Sequence, residues 1–165
     1  TTRVRVTTVI PGMSLTLNQG DPSEKKPNGF HRLYAPASPH TTTSQARDCQ
    51  SCHANPSALG YGRGTLTYEV KGMTGRWRFS PEFASLPEDG LPADAWIGFL
   101  ETRDGNVATR TNLRPFNVEE QRGILRVGAC LTCHSGDSPV MQQAVADMES
   151  VLVRRSPQCV LPVWD

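Results

Sequence analysis

Residues 2–10, TRVRVTTVI, alternate β-branched with polar positions, and that period of two predicts a strand. Pro11 and Gly12 turn the chain, and MSLTLN is predicted to return as a short partner. From Asn18 to Gly29 the residues are polar and broken by Pro and Gly, which predicts a loop. A short helix is predicted over 43–54 and a further strand over TLTYEV, 65–70. WIGFLETRDGNVATRT, 96–111, predicts two strands around a turn at Asp104–Gly105, because Gly accepts the positive φ of a tight hairpin. Asn117 with Glu120 three residues on is a capping box, and Val118, Ile124 and Leu125 supply the apolar face of the helix behind it. Ser138–Pro139 opens a last helix in which Met141, Val145, Met148 and Leu152 recur at helical spacing to about residue 153. That stripe reads as core. The expected class is α+β with much irregular structure, short helices and small β-hairpins.

Composition sharpens this picture. Only 37% of the 165 residues are hydrophobic, with 14 Gly and 13 Pro, so side chains alone supply a thin core. A net charge of +1 argues against nucleic acid or an anionic membrane surface as partner. No run of 18 apolar residues exists, so no membrane-spanning helix is predicted. GYGRG, 60–64, lacks the Lys-Ser/Thr of a phosphate loop and is predicted to let backbone pass close to a strand or ring edge.

Two decapeptides carry the chemistry: RDCQSCHANP, 47–56, and GACLTCHSGD, 128–137. A thioether pair to the vinyl groups of haem needs two thiols about one helical turn apart, followed by an imidazole that reaches the iron. Cys49, Cys52 and His53 meet that demand, as do Cys130, Cys133 and His134. With five Cys and four His in the chain, chance supplies one such pentapeptide about 0.004 times. The rival chemistries fit less well. Four thiols make a zinc set, but these pairs stand 77 residues apart and zinc leaves both adjacent histidines idle. A dithiol redox motif opens a helix behind a buried strand, and neither pair follows one. Disulfides between cysteines three apart are disfavoured by geometry. Two c-type haems are therefore expected, attached at Cys49, Cys52, Cys130 and Cys133. Their porphyrins would centre the core, in one domain over 1–165 or two lobes, 1–75 around the first and 76–165 around the second.

The remaining histidines, His31 and His40, match the two open coordination positions in number, which favours bis-histidine ligation. The competitor is a thioether from Met13, Met73, Met141 or Met148, which would raise the potential. Fourteen of the 17 basic residues are Arg, and Arg32, Arg47, Arg63 and Arg126, near the motifs, are candidate propionate partners. An Arg-rich surface reflecting genome composition is the alternative. Haem is attached to such sites after export, so the expected compartment is periplasm, cell surface or extracellular space. Thr1 is not an initiator, so the sequence is expected to be a processed chain or a segment of a longer one. Cys159 is the odd thiol, expected as a small buried residue, an intermolecular disulfide or a ligand.

PHTTTSQARDCQSCHANPSALGYG, 39–62, resembles a segment of the large bis-histidine bacterial multihaem cytochromes c. NVEEQRGILRVGACLTCH, 117–134, is similar in character to the approach to another haem there. The resemblance covers about a third of the chain. It implies that His40, nine residues before Cys49, is the distal ligand of a neighbouring haem, most simply the second, leaving His31 for the first. The expected function is electron transfer without catalysis, to redox partner proteins or other cytochrome subunits. One alternative is a subunit of a larger multihaem assembly, homo-oligomer or extracellular filament, in which the strand at 2–10 adds to a neighbour's sheet. The other is a haem oxidoreductase acting on a small nitrogen, sulfur or peroxide compound.

Overall fold

The computed structural model describes residues 5–6, 14–19, 29–34, 47–102, 107–108, 111 and 114–164. Within them the chain is mixed α+β, built from two small sheets and short helices. The first sheet holds β1 (Arg5–Val6), β2 (Ser14–Gln19), β3 (Gly29–Tyr34) and β6 (Val107–Ala108) in the order β1-β2-β3-β6. β1 and β2 pair antiparallel within the chain, as the turn at Pro11–Gly12 predicts. β2 and β3 pair antiparallel from Ser14↔Tyr34 to Gln19↔Gly29, so Asn18 and Gln19 continue a strand where a loop is expected. β6 joins β3 in parallel.

The second sheet is the hairpin of β4 (Gly64–Lys71) and β5 (Thr74–Pro81), closed by the two-residue loop Gly72–Met73. β4 answers the strand predicted at 65–70. β5 escaped the sequence reading, although its signal is present: Trp77 and Phe79 alternate with Arg76, Arg78 and Ser80. Tyr68 lies opposite Trp77, their rings 5.2 Å apart, an aromatic cross-strand pair on the buried face.

Two helical predictions need correction. The helix expected over 43–54 is, among the described residues, only α1 (Gln50–His53), because the Asp48 carboxylate takes the Ser51 amide at 2.7 Å and starts the turn there. It stops at once, since Pro56 holds Asn55 in extended backbone, and Asn55 then caps α2 (Pro56–Leu59). The helix expected to run to 153 is two, α4 (Pro139–Ala146) and α5 (Met148–Val153). Asp147, at φ −155° and ψ 90°, ends the first and caps the second through the Ser150 amide. The break splits the apolar stripe. Met141 is buried and Met148 and Leu152 are half-buried, but Val145 is 87% exposed.

Residues 96–102 form turns instead of the first strand of a hairpin, while Asp104 and Gly105 lie outside the described residues. The reason is a side chain. Gln121, fully buried, accepts from the Leu100 amide at 2.9 Å and donates to the Glu101 carbonyl at 3.1 Å, so this backbone needs no strand partner. Tyr61 donates to the same amide oxygen at 2.8 Å, and burial pushes the Tyr61 phenol well above its ordinary range.

α3 (Val118–Cys130) is as predicted, with both halves of the Asn117–Glu120 capping box formed. Its Leu125 and Ala129 join Leu59, Tyr61, Trp77 and Ile97 in one buried cluster, so the core joins α2, the hairpin, the 91–97 turns and α3. GYGRG passes close to a strand and a ring edge as expected: a Cβ on Gly64 would collide with the Ser80 carbonyl and the Phe79 ring of β5. Among the described residues no helix is long and apolar enough to cross a membrane.

Candidate functional site

Both Cys-x-x-Cys-His motifs close on the same local geometry. In the first, the His53 amide donates to the Cys49 carbonyl at 2.9 Å and the Cys52 amide to the same oxygen at 3.3 Å. In the second, His134 and Cys133 donate to the Cys130 carbonyl at 3.0 and 3.2 Å. Each motif is thus one helical turn, at the end of α3 in the second case, which presents both thiols and the imidazole from positions i, i+3 and i+4. Cys52 and Cys133 are exposed, while Cys49 and Cys130 are half-buried.

The two turns are packed together. Gly128 sits against the His53 carbonyl so closely that a Cβ would overlap it, and would lie 3.1 Å from Trp77. A Cβ on Gly136 would lie 2.9 Å from the Cys49 sulfur. The Gln50 side-chain amide bridges to the Leu131 carbonyl at 3.2 Å, tying the first motif to the start of the second. Trp77 braces this contact, donating from its indole to the Leu125 carbonyl at 2.9 Å.

His53 is oriented by one further bond. Its Nδ1 lies 3.1 Å from the Ile124 carbonyl of α3, which suits an Nδ1–H donor and leaves Nε2 as the basic nitrogen. A ring held in that way is what a metal-ligating histidine requires. His134, by contrast, is exposed. It borders two cavities, of about 310 and about 360 Å³, that share Cys130, His134, Ser156 and Cys159. The first also meets α4 and α5 through Met141 and Leu152, and the second meets the hairpin through Tyr68 and Val70. Both lie in the size range of small-ligand sites, about 300–1,000 Å³.

The thiols around these cavities influence one another. Burial pushes the Cys130 thiol up, and the neighbouring Cys159 and Cys133 add to the effect. The Tyr68 phenol is pushed up to about 12, first by burial and then by Cys159, Cys130 and Cys133. Its hydroxyl donates to the Val160 carbonyl at 2.9 Å, which anchors the C-terminal segment over the hairpin. Cys159 is therefore a half-buried wall of both cavities. None of the five cysteines pairs with another. Among the described residues no three Cys, His, Asp or Glu side chains converge on one point, so the four motif thiols do not form the tetrahedral set of a zinc ribbon.

The other candidates divide. His40 lies outside the described residues, and His31 is described only as a strand position of β3, opposite Leu17. Met13 also lies outside them, Met73 is 66% exposed in the hairpin loop, and Met141 lies buried on the first cavity. Arg32 does not wait for a propionate. It is 4% exposed, and its guanidinium meets the Asp89 carboxylate and the carbonyls of Leu91, Pro92, Ala93 and Ala95. That chelation fastens β3 to the 89–95 turns. Arg63 is exposed, its guanidinium 5.7 Å from the Phe83 ring centre, Arg47 is exposed, and Arg126 is half-buried near Cys130.

Sequence reasoning missed three residues on the cavities: Tyr68, Arg154 and Arg155. The arginines follow α5 directly, and their pairing after an apolar helix was the available signal. Nothing local marks Tyr68, which reaches the second motif only because the hairpin folds against α3 and the C-terminal segment.

No family model matches the chain, and no curated protein or solved structure resembles it significantly.

Proposed function

We propose that the chain is a dihaem c-type cytochrome that transfers electrons, with thioether links at Cys49, Cys52, Cys130 and Cys133 and proximal ligands His53 and His134. Bound haem supplies a one-electron Fe(III)/Fe(II) couple, and the protein sets its potential by axial ligand, burial and nearby charge. The observation that carries this reading is the His53 ring, fixed through Nδ1 to the Ile124 carbonyl so that its other nitrogen is the one left to bind a metal. The shared turn geometry of the two motifs supports it, as does the apolar space beside the second. The residues present fit the group.

Each part of the chain then has a defined task. The paired thiols tether, the two histidines ligate, and α3 orients His53. Phe, Tyr and Trp side chains of the hairpin and the 96–99 turns keep water from the junction of the two motifs. His31 and His40 are the proposed distal ligands, His40 toward the second haem, as in the multihaem family that residues 39–62 resemble. With both coordination positions filled, no substrate site remains at iron, and the proposed work is electron relay to redox partner proteins or adjoining cytochrome subunits. The periplasm or cell exterior is the proposed compartment.

An optical spectrum with and without carbon monoxide, together with the intact mass, tests this directly. Two covalent haems and a low-spin spectrum indifferent to carbon monoxide are expected. His40→Ala is expected to make one haem high-spin and able to bind carbon monoxide. A native chain without covalent haem overturns the proposal. A native haem that binds carbon monoxide and turns over nitrite, hydroxylamine, tetrathionate or peroxide replaces the carrier with an enzyme.

A further inference from the structure

Two cavities share the Cys130 and His134 wall, and their chemistry differs. The one against the hairpin is lined by Tyr68, Val70, Thr132, Gln158 and Val160, with Cys133 on this side only, and has no Arg or Lys. The one against α4 and α5 combines aliphatic Val140, Met141, Val151 and Leu152 with two guanidinium-bearing residues, Arg154 and Arg155. A haem is an apolar disc carrying two carboxylates. A site for it must supply apolar walls and cations at one edge, since burying a carboxylate without a partner costs several kcal/mol. Only the cavity against α4 and α5 offers both.

We infer that the haem attached at Cys130 and Cys133 occupies the cavity bounded by α4 and α5, and that Arg154 and Arg155 receive its propionates. This rests on the haem-attachment reading above. The local structure already presents both side chains. Arg154 donates from Nε to the Ser150 carbonyl at 3.1 Å, and Arg155 donates from Nη1 to the Leu152 carbonyl at 2.8 Å. Each thereby caps the end of α5 with part of its guanidinium and keeps further N–H groups for an anion. Planar guanidinium suits a carboxylate better than ammonium does, because it offers two parallel N–H donors. The Asp147 break has a purpose in this arrangement. It lets α5 leave the line of α4, so both helices line one cavity and the two arginines arrive beside the residues contributed by α4.

The test uses the loaded protein with Arg154→Gln and Arg155→Gln together. Both residues are exposed, so the fold is expected to survive, and Arg154→Lys with Arg155→Lys provides a second variant that keeps the charge. Potentiometry that resolves the two haems is expected to show one of them about tenfold harder to reduce in the Gln variant, 59 mV for one electron, with the other unmoved. Removing paired cations from propionates leaves more negative charge by the iron and favours the ferric state. Resonance Raman is expected to show a propionate mode altered at one haem only, in the Lys variant as well as the Gln one. Potentials indifferent to the arginines or unchanged propionate modes overturn the inference while the haem count stands at two. A native chain whose mass shows no haem at Cys130–Cys133 overturns the attachment reading and this inference with it.

Discussion

The two motifs share one pentapeptide pattern and one backbone turn, yet their surroundings differ. Cys49–His53 is pressed against α3, with its histidine ring held by a carbonyl, its own carbonyl covered by Gly128, and Gln50 bridging to Leu131. Cys130–His134 ends α3 and opens onto space, with an exposed histidine and a cavity on either side. The first is built into the core and the second into a vestibule. Attachment chemistry is therefore a property of the pentapeptide, whereas ring orientation, burial and charge belong to whatever packs beside it. On the proposed function, this asymmetry is the means by which one chain gives two haems different potentials.

The largest expected effect comes from unloading each motif in turn. Cys52→Ala and Cys133→Ala are each expected to lose one haem's mass when both thioethers are required. Hydrogen exchange then separates them: unloading the second motif is expected to deprotect α4 and α5, while unloading the first leaves α3 and the hairpin protected. Equal exchange patterns in the two variants would erase the distinction between core and vestibule.

Next in size is Gly128→Ala. The added Cβ must displace the His53 carbonyl or Trp77, so a loss of about 1–3 kcal/mol is expected in denaturant unfolding. Spectral change is expected at the first haem rather than the second. Gly123→Ala is the control on the same helix. Nothing lies within 4 Å of its new Cβ, so a gain of up to about 1 kcal/mol is expected. A Gly128→Ala protein as stable as the Gly123→Ala one would show that the motifs are not pressed together.

Removing the cap at the start of α3 acts on both motifs through a shared element and is smaller again. Asn117→Ala is expected to cost about 1 kcal/mol, with no preference for either haem. The smallest effect is electrostatic. The Arg114 side chain first, and the Asn117 amide after it, hold the Glu120 carboxyl down at about 2. Its folded-state value is depressed, so its contribution is complete above the ordinary carboxylate range and is lost as pH falls from there toward about 2. The group is at the surface, so the slope is expected to be shallow and weaker in high salt. Glu120→Gln is expected to flatten it, as read from unfolding midpoints between pH 5 and 2.

Much of the local structure was legible in advance. The capping box at Asn117, the helix start at Ser138–Pro139 and the strand at 65–70 each rest on neighbours along the chain, and each is present. Where expectation failed, a distant partner had intervened. The apolar, β-rich residues 96–100 look like a strand, but the Gln121 amide satisfies their backbone from α3. Arg32 looks like a free cation near a motif, but five residues between 89 and 95 enclose its guanidinium.

The sequence by itself determined the two motifs on which the proposed attachment rests, each a thiol pair one turn apart followed by imidazole, because such a motif depends only on residue type and spacing within five residues. It also determined where α3 and α4 begin, since the signals at Asn117 and Ser138–Pro139 lie within a few residues of each helix start. Only the tertiary structure decided that Ile124 orients His53, that Gly128 lets the two motifs touch, and that α4, α5, the hairpin and the C-terminal segment enclose space around His134. Those outcomes join residues up to 92 positions apart, as in the bond from Tyr68 to Val160. Burial and hydrogen-bond satisfaction are properties of the assembled core, and no local pattern of residues encodes which distant group will supply them.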